Sequence, residues 1–115
     1  MIQRFPGLTP TRSRAVVHNG MVYTVAVSPD PAPPDVYAQT QRALKRIDDS
    51  LAMAGTDKSR ILQAIVYIAD IGRKEDMNKA WDEWVDLSHP PMRACLGVDL
   101  EHPHLVEIVV TAAVK

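Results

Sequence analysis

Leu105-Val106-Glu107-Ile108-Val109-Val110-Thr111-Ala112-Ala113-Val114 is the stretch whose reading decides the fold. Successive side chains of a strand point to opposite sides, so Val106, Ile108, Val110, Ala112 and Val114 share one face. Leu105, Glu107, Val109, Thr111 and Ala113 share the other, and that side is mostly apolar as well. The run from Ile61 to Ile71 behaves alike, with Ala64, Val66 and Ile68 set against Ile65, Tyr67 and Ala69. Strands apolar on both sides belong in a sheet whose two faces are both covered.

Working outward, the opening segment to Thr11 carries Pro6, Gly7 and Pro10 and reads as a short strand or arm followed by a loop. Ala15-Val16-Val17 and Met21 to Val27 flank His18-Asn19-Gly20, a strong hairpin signal because Asn and Gly tolerate the positive φ of tight turns. Ser28 to Pro34 holds four prolines and is a loop. From about Asp35 to Ala54 the spacing of Tyr37, Leu44, Ile47, Leu51 and Ala54 predicts a helix that Gly55 ends. A second helix is expected from roughly Lys74 to Leu87, with Met77, Ala80, Trp81, Trp84 and Val85 as its buried stripe and Pro90-Pro91 as its stop. Met92 to Leu100 and Leu105 to Val114 read as closing strands. The order predicts an α+β domain over 1–115, a mixed five-stranded sheet with two helices packed on one face. Two such helices cannot cover both faces, and a second copy of the chain is the economical cover.

The bulk properties exclude several classes. At 115 residues the chain has room for one core. Its net charge is −1 with no concentration of Lys and Arg, so a nucleic-acid partner is not expected. One cysteine, Cys95, rules out an intrachain disulfide and suits a reducing compartment. No signal-like or membrane-length apolar run is present, and a cytoplasmic protein is the expectation.

Charges among apolar neighbours are the natural site candidates. Arg93 is assigned to the second, uncovered face together with Cys95 and Gly97, and Glu107 lies among apolar residues of the last strand. If the last two strands form a hairpin about Glu101-His102-Pro103-His104, Arg93 and Glu107 are equidistant from its turn and adjacent across the ladder. They then form either a neutralising ion pair, as buried charges usually do, or a guanidinium that grips a carboxylate beside a water-orienting acid. Cys95 reads as a small buried residue. His102 and His104 flank a proline and read as a turn rather than a metal pair. Trp81 and Trp84 are assigned to the core, and Asp48, Asp49, Lys45 and Arg46 to solvent.

Pro91-Met92-Arg93-Ala94-Cys95-Leu96-Gly97-Val98 followed by Val106-Glu107-Ile108-Val109-Val110 resembles the C-terminal signature of the reactive intermediate deaminase (Rid, YjgF-like) family. Ser13 to Gly20, Gln39-Thr40-Gln41, Asp57 to Ile61 and Met77 to Trp81 are similar in the same order. The resemblance implies a chorismate-mutase-like fold and a homotrimer with a central barrel and clefts between subunits. It implies hydrolytic deamination of 2-imino acids or their enamine tautomers to 2-keto acids and ammonia, without metal or organic cofactor. Arg93 would hold the carboxylate of this small metabolite, Glu107 would position the water, and Cys95 would line the site. Two positions depart from the pattern. Ala26-Val27 stands where many members have Gly-Gln, and Arg12 where the best-known deaminases have a tyrosine. The two departures make Ala26 and Arg12 candidate substrate contacts, with Arg12 or Arg14 either supplying a second anionic contact or remaining a solvated loop arginine. They also define the alternative, a regulatory trimer that binds small carboxylates without turning them over.

Overall fold

Asn19 and Gly20, with φ of 51° and 75°, close the hairpin between β2 (Ser13–His18) and β3 (Met21–Val27). The computed structural model describes residues 1–115. The opening arm forms β1 (Gln3–Pro6) on the free side of β2 and makes the sheet six-stranded rather than five. After the proline-rich loop, α1 (Val36–Met53) begins at Asp35, whose carboxylate accepts the Ala38 N–H at 2.8 Å, as an N-cap should. It ends where Gly55 takes φ 81°, with Gly55 N–H donated to Ala52 O and Thr56 N–H to Leu51 O. β4 (Ile61–Ile68), α2 (Lys74–Trp84), β5 (Met92–Gly97) and β6 (Val106–Ala113) complete the chain. α2 stops short of the expected Leu87. Val85 is already extended, and Asp86 captures the Ser88 N–H in a turn ahead of the prolines.

The strand order is β1-β2-β3-β6-β4-β5, and only the β4–β5 pair is parallel. β5 and β6 are therefore not a hairpin. β4 lies between them and carries the chain into β5 through α2, as parallel neighbours require. β6, mostly apolar on both sides, takes a central place between β3 and β4. β5, which carries Arg93 and Gly97, is left at the edge.

Both helices lie on one face. Ala43, Leu44, Ile47 and Leu51 of α1 and Met77 and Trp81 of α2 bury Val66, Ile68, Val106, Ile108 and Val110 of the sheet. Tyr37, expected in this stripe, sits at its margin and donates to Glu83 of α2. The other face has no covering element, and Tyr23, Val25, Met92 and Leu96 are exposed on it. No helix is long and apolar enough to cross a membrane.

Two polar anchors were not visible in the apolar pattern. Fully buried Gln39 donates to the carbonyls of Pro33 (2.8 Å) and Pro103 (2.9 Å) and accepts from Leu105 N–H (2.8 Å). One side chain thus ties the loop before α1 to the β5–β6 connection. Asp48 is half-buried rather than solvent-facing, and both its oxygens accept the Trp84 indole N–H at 3.0 Å. Burial, opposed by that bond and by Lys58, raises its pKa.

Gln39→Leu should leave three backbone groups without partners and lower stability by about 3 kcal/mol in urea unfolding. A loss below about 1 kcal/mol would show that water replaces the amide without penalty. Asp48 also sets a pH dependence. A carboxyl whose folded pKa lies above its unfolded value contributes stability below the unfolded value, and that contribution is lost as pH rises through the folded one. Between neutral pH and about 4, the wild type should therefore gain stability relative to Asp48→Asn, which keeps an acceptor for Trp84 but cannot ionise. Parallel melting-temperature curves for the two proteins would rule this out.

Candidate functional site

Glu107 stands at the start of β6, level with Val27 on β3 and Tyr67 on β4, on the uncovered side of the sheet. Next to it opens a cleft of about 360 Å³. Its walls are the β1–β2 loop, the end of β3, Arg46 of α1 and His104 of the β5–β6 connection. Gly7 shapes the loop, since a Cβ there would come within 2.6 Å of the Arg12 carbonyl oxygen. Arg12 and Arg14 both line the cleft, and Arg14 Nε is fixed by donating to Ser50 Oγ of α1 at 2.8 Å. Burial, and after it the neighbouring Arg46, lowers the Arg14 pKa, while Asp49 opposes them.

Arg93 is elsewhere. Its parallel pairing with Ala64 places it on the helix-covered side of the edge strand, which corrects the expectation that it shares the uncovered face with Glu107. Its guanidinium lies over the Trp81 ring, 5.2 Å from the centroid, and Nη1 is 3.7 Å from Met77 Sδ. A cation over an indole face is held in place electrostatically, and a thioether is a weak acceptor. The remaining N–H donors have no protein partner, and no carboxylate pairs with Arg93. Arg93 is level with Ala64 and Val110, whereas Glu107 is level with Tyr67 and Leu96. Within one chain they lie on opposite faces with β4 between them, so they form neither an ion pair nor a shared site.

Cys95, half-buried opposite Val66, follows Arg93 on the same side and packs against the core. Ala26 is buried in the core, level with Ile108, and borders the cleft between Val25 and Val27. Val27, level with Glu107, follows it along the rim of the cleft. Arg12 is brought to Glu107's cleft as a candidate contact.

Sequence reasoning missed Arg46 and His104. Arg46 borders the buried stripe of α1 next to Ile47, and periodicity does not say which flank meets a cleft. His104 belongs to the turn as expected, yet the turn folds back beside Glu107 and leaves His104 Nδ1 buried without a partner. No group of three or more His, Cys, Asp or Glu side chains is placed to hold a metal ion.

The endoribonuclease L-PSP family model matches residues 6–114. A RutC family protein of Haemophilus ducreyi is 45% identical over 104 residues, covering 90% of this chain and 89% of that protein. The RutC family protein YoaB of Escherichia coli is 40% identical over 103 residues, 89% of this chain and 90% of its own length. The crystal structure of a YjgF family member from Neisseria meningitidis superposes with a TM-score of 0.93 at 36% identity, covering 100% of this chain and 96% of that one.

Proposed function

The chain belongs to the endoribonuclease L-PSP family, which takes in the RutC and YjgF/Rid proteins, and on that premise we propose that it is a cytoplasmic hydrolase of reactive imines. It converts 2-imino acids and their enamine tautomers to 2-keto acids and ammonia in clefts between the subunits of a homotrimer. The observation that carries this reading is the separation of Arg93 from Glu107. Arg93 offers unpaired donors at a sheet edge, and Glu107 stands in a cleft on the other face, so two copies are needed to bring both to one substrate. The uncovered apolar face, with Tyr23 and Val25 exposed, supplies a surface on which copies associate.

Arg93 of one protomer holds the substrate carboxylate through paired N–H donors, with the Trp81 ring behind the guanidinium limiting its motion. Glu107 of the next protomer accepts a hydrogen bond from water and aims its oxygen at the C=N carbon. The C–O bond forms as the π pair moves to nitrogen. Protons then pass from the added oxygen to nitrogen, the C–N bond breaks, and ammonia leaves as the carbonyl forms. An imine is already electrophilic, so orientation, a placed water and a proton route are enough. The alternative, a trimer that binds carboxylates without turnover, would use the same Arg93 contact; Glu107 favours hydrolysis, and Ala26, Val27 and Arg12 are the positions on which the alternative rests.

An amino-acid oxidase that generates imino acids in the presence of semicarbazide provides the assay, because a deaminase lowers the yield of trapped imine. The wild type should do so, whereas Arg93→Ala and Glu107→Gln should each lose roughly 100-fold in kcat/KM. Co-assembling the two inactive variants should restore part of the activity, since some clefts then receive an intact Arg93 and an intact Glu107. No recovery would exclude a cleft shared in this way, and no activity in any sample would leave the binding role. Val25→Glu should reduce the trimer mass measured by sedimentation, and an unchanged mass would place the interface elsewhere.

A further inference from the structure

The Glu107 cleft holds more positive charge than one carboxylate explains. Arg12, Arg14 and Arg46 line it, with His104 beside them, and Glu107 is its only acid. None of the three arginines is ion-paired. The four ion pairs of the chain are Lys45–Asp49, Arg73–Asp76, His89–Asp86 and Lys115–Asp57. Asp49 is the one further acid that acts on both Arg14 and Arg46, and it is exposed and already bonded to Lys45 at 2.5 Å. One of the positive groups and the loop that carries another are also constrained. Arg14 is fixed to Ser50, and the Arg12 loop takes a path that a side chain at Gly7 would block. Like charges gathered in a partly desolvated cleft repel one another unless an anion joins them.

Under the proposed function, the substrate's own carboxylate goes to Arg93 of the neighbouring protomer, which leaves these arginines unassigned. We infer that the cleft receives a second anionic group at the far end of the substrate. The preferred class is then an imino acid with a side-chain carboxylate or phosphate, rather than an aliphatic one. This rests on the deaminase reading for the identity of the reacting group, but not for the binding of the anion.

A binding measurement on the assembled protein separates the two. 2-Oxoglutarate and 2-oxopentanoate have the same chain length and differ by a terminal carboxylate in place of a methyl, and calorimetric titration compares them without turnover. The wild type should bind 2-oxoglutarate at least about tenfold more tightly, as expected for a charge-assisted contact. Arg46→Gln should reduce the preference to within about threefold, and Arg12→Gln, on the surface loop, gives a second reading should Arg46 prove necessary for folding. 2-Oxo-4-phosphonobutanoate, which carries a phosphonate where 2-oxoglutarate has its terminal carboxylate, distinguishes the anions, and tighter binding than 2-oxoglutarate would assign the second group to phosphate. Equal affinities for the two oxo acids, or no binding of 2-oxoglutarate, would overturn the inference even if imines are hydrolysed. A preference that persists without hydrolysis of any imino acid would uphold it while removing the deaminase reading.

Discussion

The double pairing of β6, antiparallel to β3 on one side and to β4 on the other, is the constraint on which the rest of the molecule depends. It joins the N-terminal hairpin to the β4-α2-β5 unit through one central strand. Glu107 thereby meets the end of β3 and the β1–β2 loop, and Arg93 is carried to the far edge. A β5–β6 hairpin would have placed the two charges side by side, and they would most readily have neutralised each other. With β4 inserted, each charge stays free of the other. One lies against an aromatic ring, and the other stands at the mouth of a cationic cleft.

Gln39 shows how the site is braced without being part of it. The β5–β6 connection carries His104 to the cleft but belongs to no helix or strand, so its shape depends on side-chain bonds. Gln39 reaches it from the first turns of α1 and binds the Pro103 carbonyl and the Leu105 N–H, two residues before Glu107. Buried side-chain networks of this kind specify one arrangement, because partial satisfaction costs more than none. On the other wall, Ser50 performs a similar service for Arg14 from the same helix. α1 thus covers the sheet with its apolar residues and steadies the cleft with its few buried polar ones.

Periodicity made the elements legible, and topology limited what could be read of the site. The Asn19-Gly20 turn, the Gly55 cap, both helices and the two-sided apolar character of β4 and β6 follow from local backbone and side-chain preferences. Those preferences act over a few residues and leave their mark in sequence. Strand order does not, because two strands joined by a short connection can pair directly or admit a third between them. Once β4 entered, the inferred Arg93–Glu107 neighbourhood vanished and Arg93 changed face. Strand alternation correctly grouped Arg93 with Cys95 and Gly97, but only the parallel register with Ala64 and Val66 shows that this group faces the helices. Asp48 and Arg46 illustrate a second limit. Both flank the α1 stripe, and nothing in the spacing indicated that a tryptophan would cover the one and a cleft would border the other.

The bare face and the separation of Arg93 from Glu107 follow from the same arrangement. With both helices on one side, the sheet exposes Tyr23 and Val25 on the other, and Glu107 lies on that same side. A copy that covers the part of this face around Val25 also approaches Glu107, one pair further along β3 and β6 on the same side. An edge strand presents unpaired backbone groups as well as side chains, which makes β5 well suited to lie against another protomer. In the proposed assembly, burial of apolar surface drives association, and the same contact brings Arg93 of one chain toward the cleft of the next. Catalytic competence would then be tied to assembly, since a lone chain contains each half of the site but no whole one.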